Sequence, residues 1–239
     1  MVDYFIFIPA YNVEKELSPL LSRIPRTVWE NARICVINDG SQDNTLLEAE
    51  VFEAPGLNYQ IHTFSKNKGY GAVVKKGLQM GLESKAKYIC CLHGDGQYPP
   101  ESIPYFFEEM QKYSIDVLQG SRHLEKGSAK KGGMPLYKII GGFFLTQIEN
   151  LFFNTKLTDR HSGFLCYSHE FLKNLDLDQL SSSFDIDLEI LAIADSRRFK
   201  IEERAIKTRY AGEYSNLNVW AYGLRVLHKL FKKHQKHYH

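Results

Sequence analysis

The segment with the clearest chemical potential lies near the middle of the chain and reads His93-Gly94-Asp95-Gly96-Gln97. A carboxylate in a glycine-flanked turn suits a hard divalent cation that bridges two phosphates. Such a cation would neutralise the charge that builds on a departing nucleoside diphosphate. The alternative is that Asp95 is an ordinary turn residue, and this segment taken alone favours that interpretation.

Two earlier segments offer contacts for a flat nucleobase. The first has an aromatic face and an amide, although the same composition is typical of a turn before a helix; it reads Pro9-Ala10-Tyr11-Asn12. The second contains Asp39, whose carboxylate can accept hydrogen bonds from the edge of a base. Asp43 follows four residues later and is suited to capping the next helix. We therefore predict ligand contact for Asp39 and a structural role for Asp43.

A third, glycine-rich segment precedes a predicted helix and reads Asn67-Lys68-Gly69-Tyr70-Gly71. Val74 stands where the dinucleotide-binding fingerprint has its third glycine, which weakens an NAD or FAD interpretation. The glycines still allow the backbone to approach a ligand closely. Lys68 would add a positive charge there.

These segments follow regularly spaced apolar runs that are typical of strands. We predict strands at residues 4–9, 33–38, 59–64, 87–93 and 115–120, with helices at 13–24, 44–52, 70–84 and 101–113. Near-continuous apolar strands separated by helices indicate a parallel sheet that is covered on both faces. Ligands bind such sheets outside the carboxyl ends of the strands, which is where all the segments above lie.

The second half of the chain is less regular. We predict a mobile loop at residues 123–133, helices at 136–154 and 185–196, strands at 163–168 and 200–207, and a final helix from about residue 218. No repeat or clear linker interrupts the 239 residues, and a chain of this length can form one domain with a sizeable core.

Composition excludes several classes of protein. The formal net charge of +2 gives no global field for nucleic acid. Four cysteines lie in apolar runs at spacings that fit neither disulfides nor metal sites, so we expect buried thiols: Cys35, Cys90, Cys91 and Cys166. The N-terminus lacks the pattern of a signal peptide, and the most apolar stretch, residues 139–153, is too short and too polar to span a bilayer. We expect a cytoplasmic protein.

In their order along the chain, these segments resemble family 2 glycosyltransferases of GT-A fold, and most closely the dolichyl- or polyprenyl-phosphate sugar synthase branch. The resemblance continues through Gly120-Ser121-Arg122, Thr158-Asp159-Arg160-His161-Ser162-Gly163 and Arg209-Tyr210, and covers about residues 4–216. It implies an α/β fold of GT-A type with a mostly parallel sheet and a catalytic domain at residues 1–216, followed by a basic amphipathic helix and tail at 217–239.

The resemblance also implies roles for matching residues. The nucleotide would be held by Pro9, Ala10, Tyr11, Asn12, Asp39, Gly40, Lys68, Gly69 and Gly71. Gly94 and Gln97 would lie at the donor sugar, and Asp95 and His93 at a divalent cation, Mg²⁺ or Mn²⁺. Asp159 would act near the acceptor as a base or as the group that positions it. Arg122 and Arg209 would bind phosphate groups, because a guanidinium matches phosphate oxygens.

Two residues depart from the family pattern. His93 stands where the metal-binding motif usually has its first Asp, so either a neutral imidazole joins Asp95 on the cation or Asp95 is its sole protein ligand. Val13 replaces a usual Glu, and the neighbouring Glu14 points elsewhere on a helix. These departures put the coordination of the metal in question and leave the nucleotide site intact.

The implied activity is transfer of a sugar from a nucleotide diphosphate sugar to a polyprenyl-phosphate lipid. Transfer to a soluble or glycan acceptor, and a binding protein that has lost catalysis, are the alternatives. Two aromatic amphipathic segments, 136–154 and 217–239, predict peripheral contact with the inner face of the cytoplasmic membrane, and packing on the domain itself is the alternative for both. Homo-oligomerisation is left open.

Overall fold

The computed structural model describes residues 3–52 and 55–210, and within them one mixed sheet forms the centre of the molecule. Its strands are β1 (Tyr4–Ala10), β2 (Ala32–Asn38), β3 (Asn58–Thr63), β4 (Tyr88–Cys91), β5 (Val117–Ser121), β6 (Leu165–Ser168) and β7 (Ile201–Ala205). Their spatial order is β3-β2-β1-β4-β6-β5-β7. The predicted α/β class with a mostly parallel sheet is confirmed.

One strand runs against the others. β1 is parallel to β2 and β4, and β5 is parallel to β7, whereas β6 is antiparallel to both of its neighbours, β4 and β5. Because of this reversal, the beginning of β6 lies at the edge of the sheet where β4 and β5 end. The segment that precedes β6 therefore meets the ends of the parallel strands.

Helices cover both faces of the sheet. They are α1 (Leu17–Ser22), α2 (Arg26–Trp29), α3 (Thr45–Val51), α4 (Tyr70–Glu83), α5 (Ile103–Tyr113), α6 (Ser128–Lys131), α7 (Leu136–Asn150), α8 (His169–Leu172) and α9 (Ile186–Ser196). Alternate residues of β1 serve the two resulting cores, with Ile6 and Ile8 in one and Phe5 and Phe7 in the other. Burial of both faces explains why β1, β2 and β4 read as continuous apolar runs, whereas the edge strands β3 and β7 are more polar.

Helix α4 lies very close to the sheet. A Cβ added to Gly77 would stand 2.2 Å from Cδ2 of Phe7, so only glycine permits this approach. The first turn of α4 is thereby held beside the ends of β1 and β4, where the glycine-rich segment opens the helix.

Several predicted boundaries differ from the structure for identifiable reasons. The first helix begins at Leu17 and not at Val13; residues 14–16 form a turn, and the Val13 amide before it donates to Thr45 Oγ1. Helix α7 ends at Asn150 and not at Asn154, because the Asn154 backbone amide donates to the side chain of Asp195. At the end of α7 a side chain of a distant element thus replaces the helical partner.

The prediction of a mobile loop at residues 123–133 is wrong. The segment contains helix α6, and Ser128 and Ala129 are buried. A Cβ on Gly132 would stand 2.2 Å from the carbonyl oxygen of Thr208, so the segment is packed against the stretch that follows β7. The predicted helix from residue 218, and with it the proposed tail at 217–239, lies outside the described residues.

The four cysteines are buried free thiols, as predicted. None of the helices in the described ranges combines the length and the apolar character that a bilayer span requires.

Candidate active site

A cleft of about 940 Å³ opens at the carboxyl ends of the parallel strands. Among its lining residues are these predicted site residues: Pro9, Ala10, Tyr11, Asn12, Asp39, Gly69, His93, Gly94, Asp95 and Gln97. Asp39 and Asp95, the two carboxylates on which the site prediction depends, thus face the same space. The volume is in the range of sites that enclose a small ligand.

Asp39 organises one side of this cleft. Its Oδ1 accepts the Lys68 amide at 2.7 Å and its Oδ2 accepts the Gly69 amide at 3.0 Å. Gly69 has a φ of +89°, a conformation that glycine adopts without strain. The carboxylate at the end of β2 therefore fixes the entry to α4 and remains part of the cleft wall.

The first two segments are tied to each other directly. Asn12 adopts a φ of +53°, and its side-chain oxygen accepts the Gln42 amide at 2.9 Å. The Asn12 amide donates in turn to Ser41 Oγ at 3.0 Å. Gly40 is needed here, because a Cβ would stand 2.6 Å from the carbonyl carbon of Lys66. Gly40 does not line the cleft, but it allows the turn after β2 to pack against the backbone of Lys66 and Asn67.

The turn after β4 presents Asp95 in a fixed orientation. Oδ1 of Asp95 accepts the Gln97 amide at 3.0 Å, and Gly96 between them has a φ of +71°. Gly94 lies against the end of β1, since a Cβ would stand 2.8 Å from the carbonyl oxygen of Pro9. A side chain at Gly94 would push the turn away from the cleft.

His93 is enclosed by aromatic and backbone groups. Its Nε2 is 3.0 Å from the Tyr70 hydroxyl, and that hydroxyl donates to Asp187 Oδ2 at 2.8 Å. Burial lowers the pKa of His93, and the nearby charge of Asp95 opposes this effect only in part, so the imidazole is neutral at neutral pH. Burial raises the pKa of Asp187 to about 7.

His93 and Asp95 form a donor set that fits a divalent cation. A carboxylate oxygen together with a neutral imidazole nitrogen suits Mn²⁺ and, less readily, Mg²⁺. Within residues 3–52 and 55–210, no group of three or more His, Cys, Asp or Glu side chains could hold a metal ion. The oxygens of a bound diphosphate would have to complete the coordination.

Arg122 and Asp159 form a buried ion pair next to the cleft. Nε of Arg122 lies 2.6 Å from Oδ2 of Asp159, and Nη2 lies 2.8 Å from Oδ1. Burial acts to raise the pKa of Asp159, but the charge and hydrogen bonds of Arg122 outweigh it and hold the pKa well below its ordinary value. Nη1 of Arg122 donates to the Tyr210 hydroxyl at 3.0 Å. A carboxylate held in this way is a poor base.

The other predicted site residues contribute by shape or lie at the surface. Gly71 is packed on the chain that precedes α9, because a Cβ would stand 2.4 Å from the carbonyl carbon of Ser182. The side chain of Lys68 is exposed, as is Arg209, whose amide donates to the Gln97 carbonyl at 3.0 Å. The cleft lining does not include these three residues or Gly40, Arg122 and Asp159.

The sequence reasoning missed part of the cleft wall. The missed residues include Tyr70, Tyr98, Arg160, His161, Phe184 and Asp187. Tyr98 connects the turn after β4 to the segment before β6, because its hydroxyl accepts the Gly163 amide at 2.9 Å. Arg160 and His161 adjoin Asp159 in the sequence, which was a usable signal. Asp187 gave no signal beyond that of an acid in the first turn of a predicted helix.

Comparisons with known proteins agree with this geometry. Residues 5–176 match the family model described as Glycosyl transferase family 2. The chain is 31% identical over 231 residues to an uncharacterized protein of Methanocaldococcus jannaschii, with coverage of 95% of this chain and 90% of that protein. It is 30% identical over 223 residues to the UDP-N-acetylglucosamine–dolichyl-phosphate N-acetylglucosaminyltransferase of Methanococcus voltae, covering 88% and 87% of the two chains.

A solved structure shares the architecture. Glucosyl-3-phosphoglycerate synthase of Mycobacterium tuberculosis, in complex with Mn²⁺, uridine diphosphate and glucosyl-3-phosphoglycerate, superposes with a TM-score of 0.69. The alignment covers 97% of this chain and 80% of that one at 14% identity. At this identity the likeness shows the fold alone, and it confirms the predicted GT-A fold.

Proposed function

Because the chain belongs to glycosyl transferase family 2 and is a nucleotide-sugar-dependent glycosyltransferase, we propose that its acceptor is a polyprenyl-phosphate lipid at a membrane surface. The observation that carries the proposal is the exposed apolar face of α7. This helix belongs to the segment of the chain between Arg122 and Asp159. Relatives point the same way, since the Methanococcus voltae protein and a dolichol-phosphate mannosyltransferase of Saccharomyces cerevisiae are both named for such acceptors.

The exposed face of α7 is unusually apolar for a surface helix. Its exposed large side chains, with those of the turn that follows, are Leu136, Tyr137, Ile140, Phe143, Phe144, Ile148, Leu151 and Phe152. Leu151 is 83% exposed. A contiguous patch of this kind marks a surface that contacts a partner or a membrane.

The charges beside this face favour an anionic lipid surface. Lys126, Lys130 and Lys131 are exposed in the segment immediately before α7. Each cation near an anionic membrane contributes about 1 kcal/mol to binding. Apolar side chains that enter the interface, together with lysines at its rim, are the combination found in interfacial helices. We therefore propose that α7 rests on the inner face of the cytoplasmic membrane, in contact with anionic lipid.

The chemistry near Asp159 suits an acceptor that is already anionic. Asp159 is bound through both oxygens to Arg122, and its depressed pKa makes it a poor proton acceptor. An acceptor phosphate needs no base, because its oxygen can attack the anomeric carbon directly. Asp159 then serves to position Arg122, whose guanidinium contacts phosphate. Positioning and charge stabilisation account for the rate.

The donor occupies the half of the cleft formed by the ends of β1, β2 and β4. The base lies against Tyr11 and Asp39, and the sugar lies near Gly94 and Gln97. Asp95 and His93 would hold a divalent cation, and such a cation would neutralise charge on the departing diphosphate. The acceptor phosphate approaches from the side of Arg122.

A transfer assay tests the acceptor. Purified protein is incubated with a panel of radiolabelled UDP- and GDP-sugars, with Mn²⁺ or Mg²⁺, and with either polyprenyl phosphate in liposomes or soluble sugars and glycans. We expect label to enter the organic phase with one donor, and Asp95→Asn to reduce this by about 100-fold, the order seen when one transition-state contact is removed. Transfer to the soluble acceptors alone would contradict the proposal. Nucleotide-sugar binding without any transfer would indicate a binding protein.

A further inference from the structure

His93 stands where the metal-binding motif of the family usually has an aspartate. A histidine at this place can bind a cation only if its ring proton is held on the correct nitrogen, a condition that does not apply to an aspartate. A carboxylate offers two oxygens that can both bind a cation. A neutral imidazole has one lone pair, which lies on Nδ1 or on Nε2 according to the position of the ring proton. A histidine can serve at this place only if another group fixes the proton on the nitrogen that faces away from the cation.

The contacts of Tyr70 determine where that proton lies. The hydroxyl of Tyr70 has one proton and is within hydrogen-bond distance of both Asp187 Oδ2, at 2.8 Å, and His93 Nε2, at 3.0 Å. Because Oδ2 acts as an acceptor, the hydroxyl proton is donated to Asp187. The Tyr70 oxygen must then accept from His93, so Nε2 carries the ring proton and Nδ1 carries the lone pair. This direction is that of the ionised carboxylate of Asp187.

The ring of His93 is also held in place by its neighbours. A Cβ on Gly163 would stand 2.6 Å from both Cε1 and Nε2, so this edge of the ring lies directly against the backbone that leads into β6. The Tyr98 ring meets the imidazole edge-on, with centroids 5.1 Å apart. Rotation of the ring would require these neighbours to move.

Asp187 is dedicated to this arrangement. Its Oδ1 is buried and has no hydrogen-bond partner among the described residues, whereas its Oδ2 accepts the hydrogen bond from Tyr70. Phe184, one turn before it, stacks on the Tyr70 ring at 5.3 Å and 10°. Burying an acidic side chain costs free energy. At this position the buried carboxylate orients the hydroxyl of Tyr70.

We propose that Tyr70 and Asp187 position His93 so that its Nδ1 lone pair, together with Asp95, binds the divalent cation of the nucleoside diphosphate. The inference rests on the proposed function only in its use of a nucleotide donor. Tyr70 and Asp187 are positioning residues, since they act on the cation through His93.

The first test reads the position of the proton. Nitrogen-15 chemical shifts of the His93 ring, measured without metal and assigned by comparison with a His93→Gln variant, should show a protonated Nε2 and an unprotonated Nδ1. Tyr70→Phe should shift the ring toward a mixture of the two tautomers. A wild-type ring with its proton on Nδ1 would overturn the proposal.

The second test measures Mn²⁺ affinity from the EPR signal of free Mn²⁺, with UDP or GDP present according to which raises the melting temperature of the wild type. Tyr70→Phe and Asp187→Asn should each weaken Mn²⁺ binding about tenfold or more, the usual effect of removing a group that orients a metal ligand. Tyr59→Phe is the matched control, because it removes another tyrosine hydrogen bond, to the Ala49 carbonyl, far from the cleft. It should leave the affinity unchanged.

A rescue experiment separates positioning from general damage. In a His93→Asp background the ligand no longer depends on a ring proton, so adding Tyr70→Phe should cost no further Mn²⁺ affinity. An equal loss in both backgrounds, or unchanged affinity in His93→Gln, would overturn the inference. If neither nucleotide raises the melting temperature of the wild type, the proposed function itself fails. If a nucleotide binds and Tyr70→Phe leaves the Mn²⁺ affinity unchanged, only the positioning role fails.

Discussion

Arg122 and Asp159 form a two-bond ion pair in which the carboxylate is 2% exposed and the guanidinium 13% exposed. The Arg122 backbone amide also donates to Asp159 Oδ2, at 3.1 Å, so the carboxylate fixes both the side chain and the main chain of Arg122. Such a carboxylate is better suited to orienting a cationic side chain than to accepting a proton.

Removal of one partner of this pair should destabilise the protein more than removal of both. Asp159→Leu leaves a buried guanidinium without its counter-charge and should cost about 3–5 kcal/mol in the free energy of unfolding. The double variant Asp159→Leu/Arg122→Met should recover most of this loss and still show no sugar transfer. Urea unfolding and the transfer assay measure the two effects. Transfer by the double variant would exclude a role of Arg122 at the acceptor.

Glu149 should make stability depend on pH in the neutral range. Burial raises its pKa to about 8, and the charge of Arg160 opposes this rise only in part. His161 Nε2 is 3.5 Å from Glu149 Oε2, but burial lowers the pKa of His161 to about 4, so this contact joins two neutral groups and is not an ion pair.

A carboxyl group with a raised folded-state pKa contributes stability below the unfolded pKa, and that stability is lost as pH rises toward the folded pKa. For Glu149 this window runs from about pH 4.3, its ordinary value, to about pH 8. Glu149→Gln should therefore be more stable than the wild type at pH 8, by more than about 1 kcal/mol, and the difference should vanish near pH 4. Thermal or urea unfolding across this range checks the sign; a constant difference would contradict it.

The exposed face of α7 should be required for binding to membranes and dispensable for folding. Phe144→Ser and Leu151→Ser remove side chains that are 61% and 83% exposed, so the melting temperature should change little. Co-sedimentation with anionic liposomes at low salt should fall several-fold for each, while binding of the nucleotide persists. Leu47→Ser, at a side chain 52% exposed on α3, is the matched control and should sediment like the wild type. Equal behaviour of all variants would exclude α7 from the interface.

Gly163 should tolerate no side chain. In Gly163→Ala the new Cβ would overlap the His93 ring at 2.6 Å and approach the Tyr70 hydroxyl at 3.3 Å. We expect a loss of about 1–3 kcal/mol in stability, as for other overpacked sites, together with weaker binding of Mn²⁺ and nucleotide. Gly142→Ala is the control, since nothing lies within 4 Å of its Cβ and alanine favours the helix by about 0.5–1 kcal/mol. Wild-type Mn²⁺ binding by Gly163→Ala would show that the ring has room to move.

The sequence predicted those features that depend on local patterns. The apolar runs and their glycine-rich ends located all seven strands, and the parallel arrangement brought Asp39 and Asp95 to one edge. The role of Asp187 could not be predicted in this way. It depends on the contact of the first turn of α4 with the chain that leads into α9, which requires the missing side chain at Gly71 and the stacking of Phe184 on Tyr70. The pairing of Asp159 with Arg122 likewise joins residues that are distant in sequence.

The hydroxyls of Ser121 and Thr158 lie 2.7 Å apart, at the points where the chain leaves β5 and returns toward β6. Residues 122–157, which include α6 and α7, therefore depart from the sheet and rejoin it at nearly the same position. A segment whose ends already meet can change in length with little strain on the strands beneath, as long as the contacts of Gly132 with Thr208 and of Asn154 with Asp195 are kept. Under the proposed function, changes in this segment would alter the surface that meets the acceptor and would leave the strands that carry Asp39 and Asp95 in place.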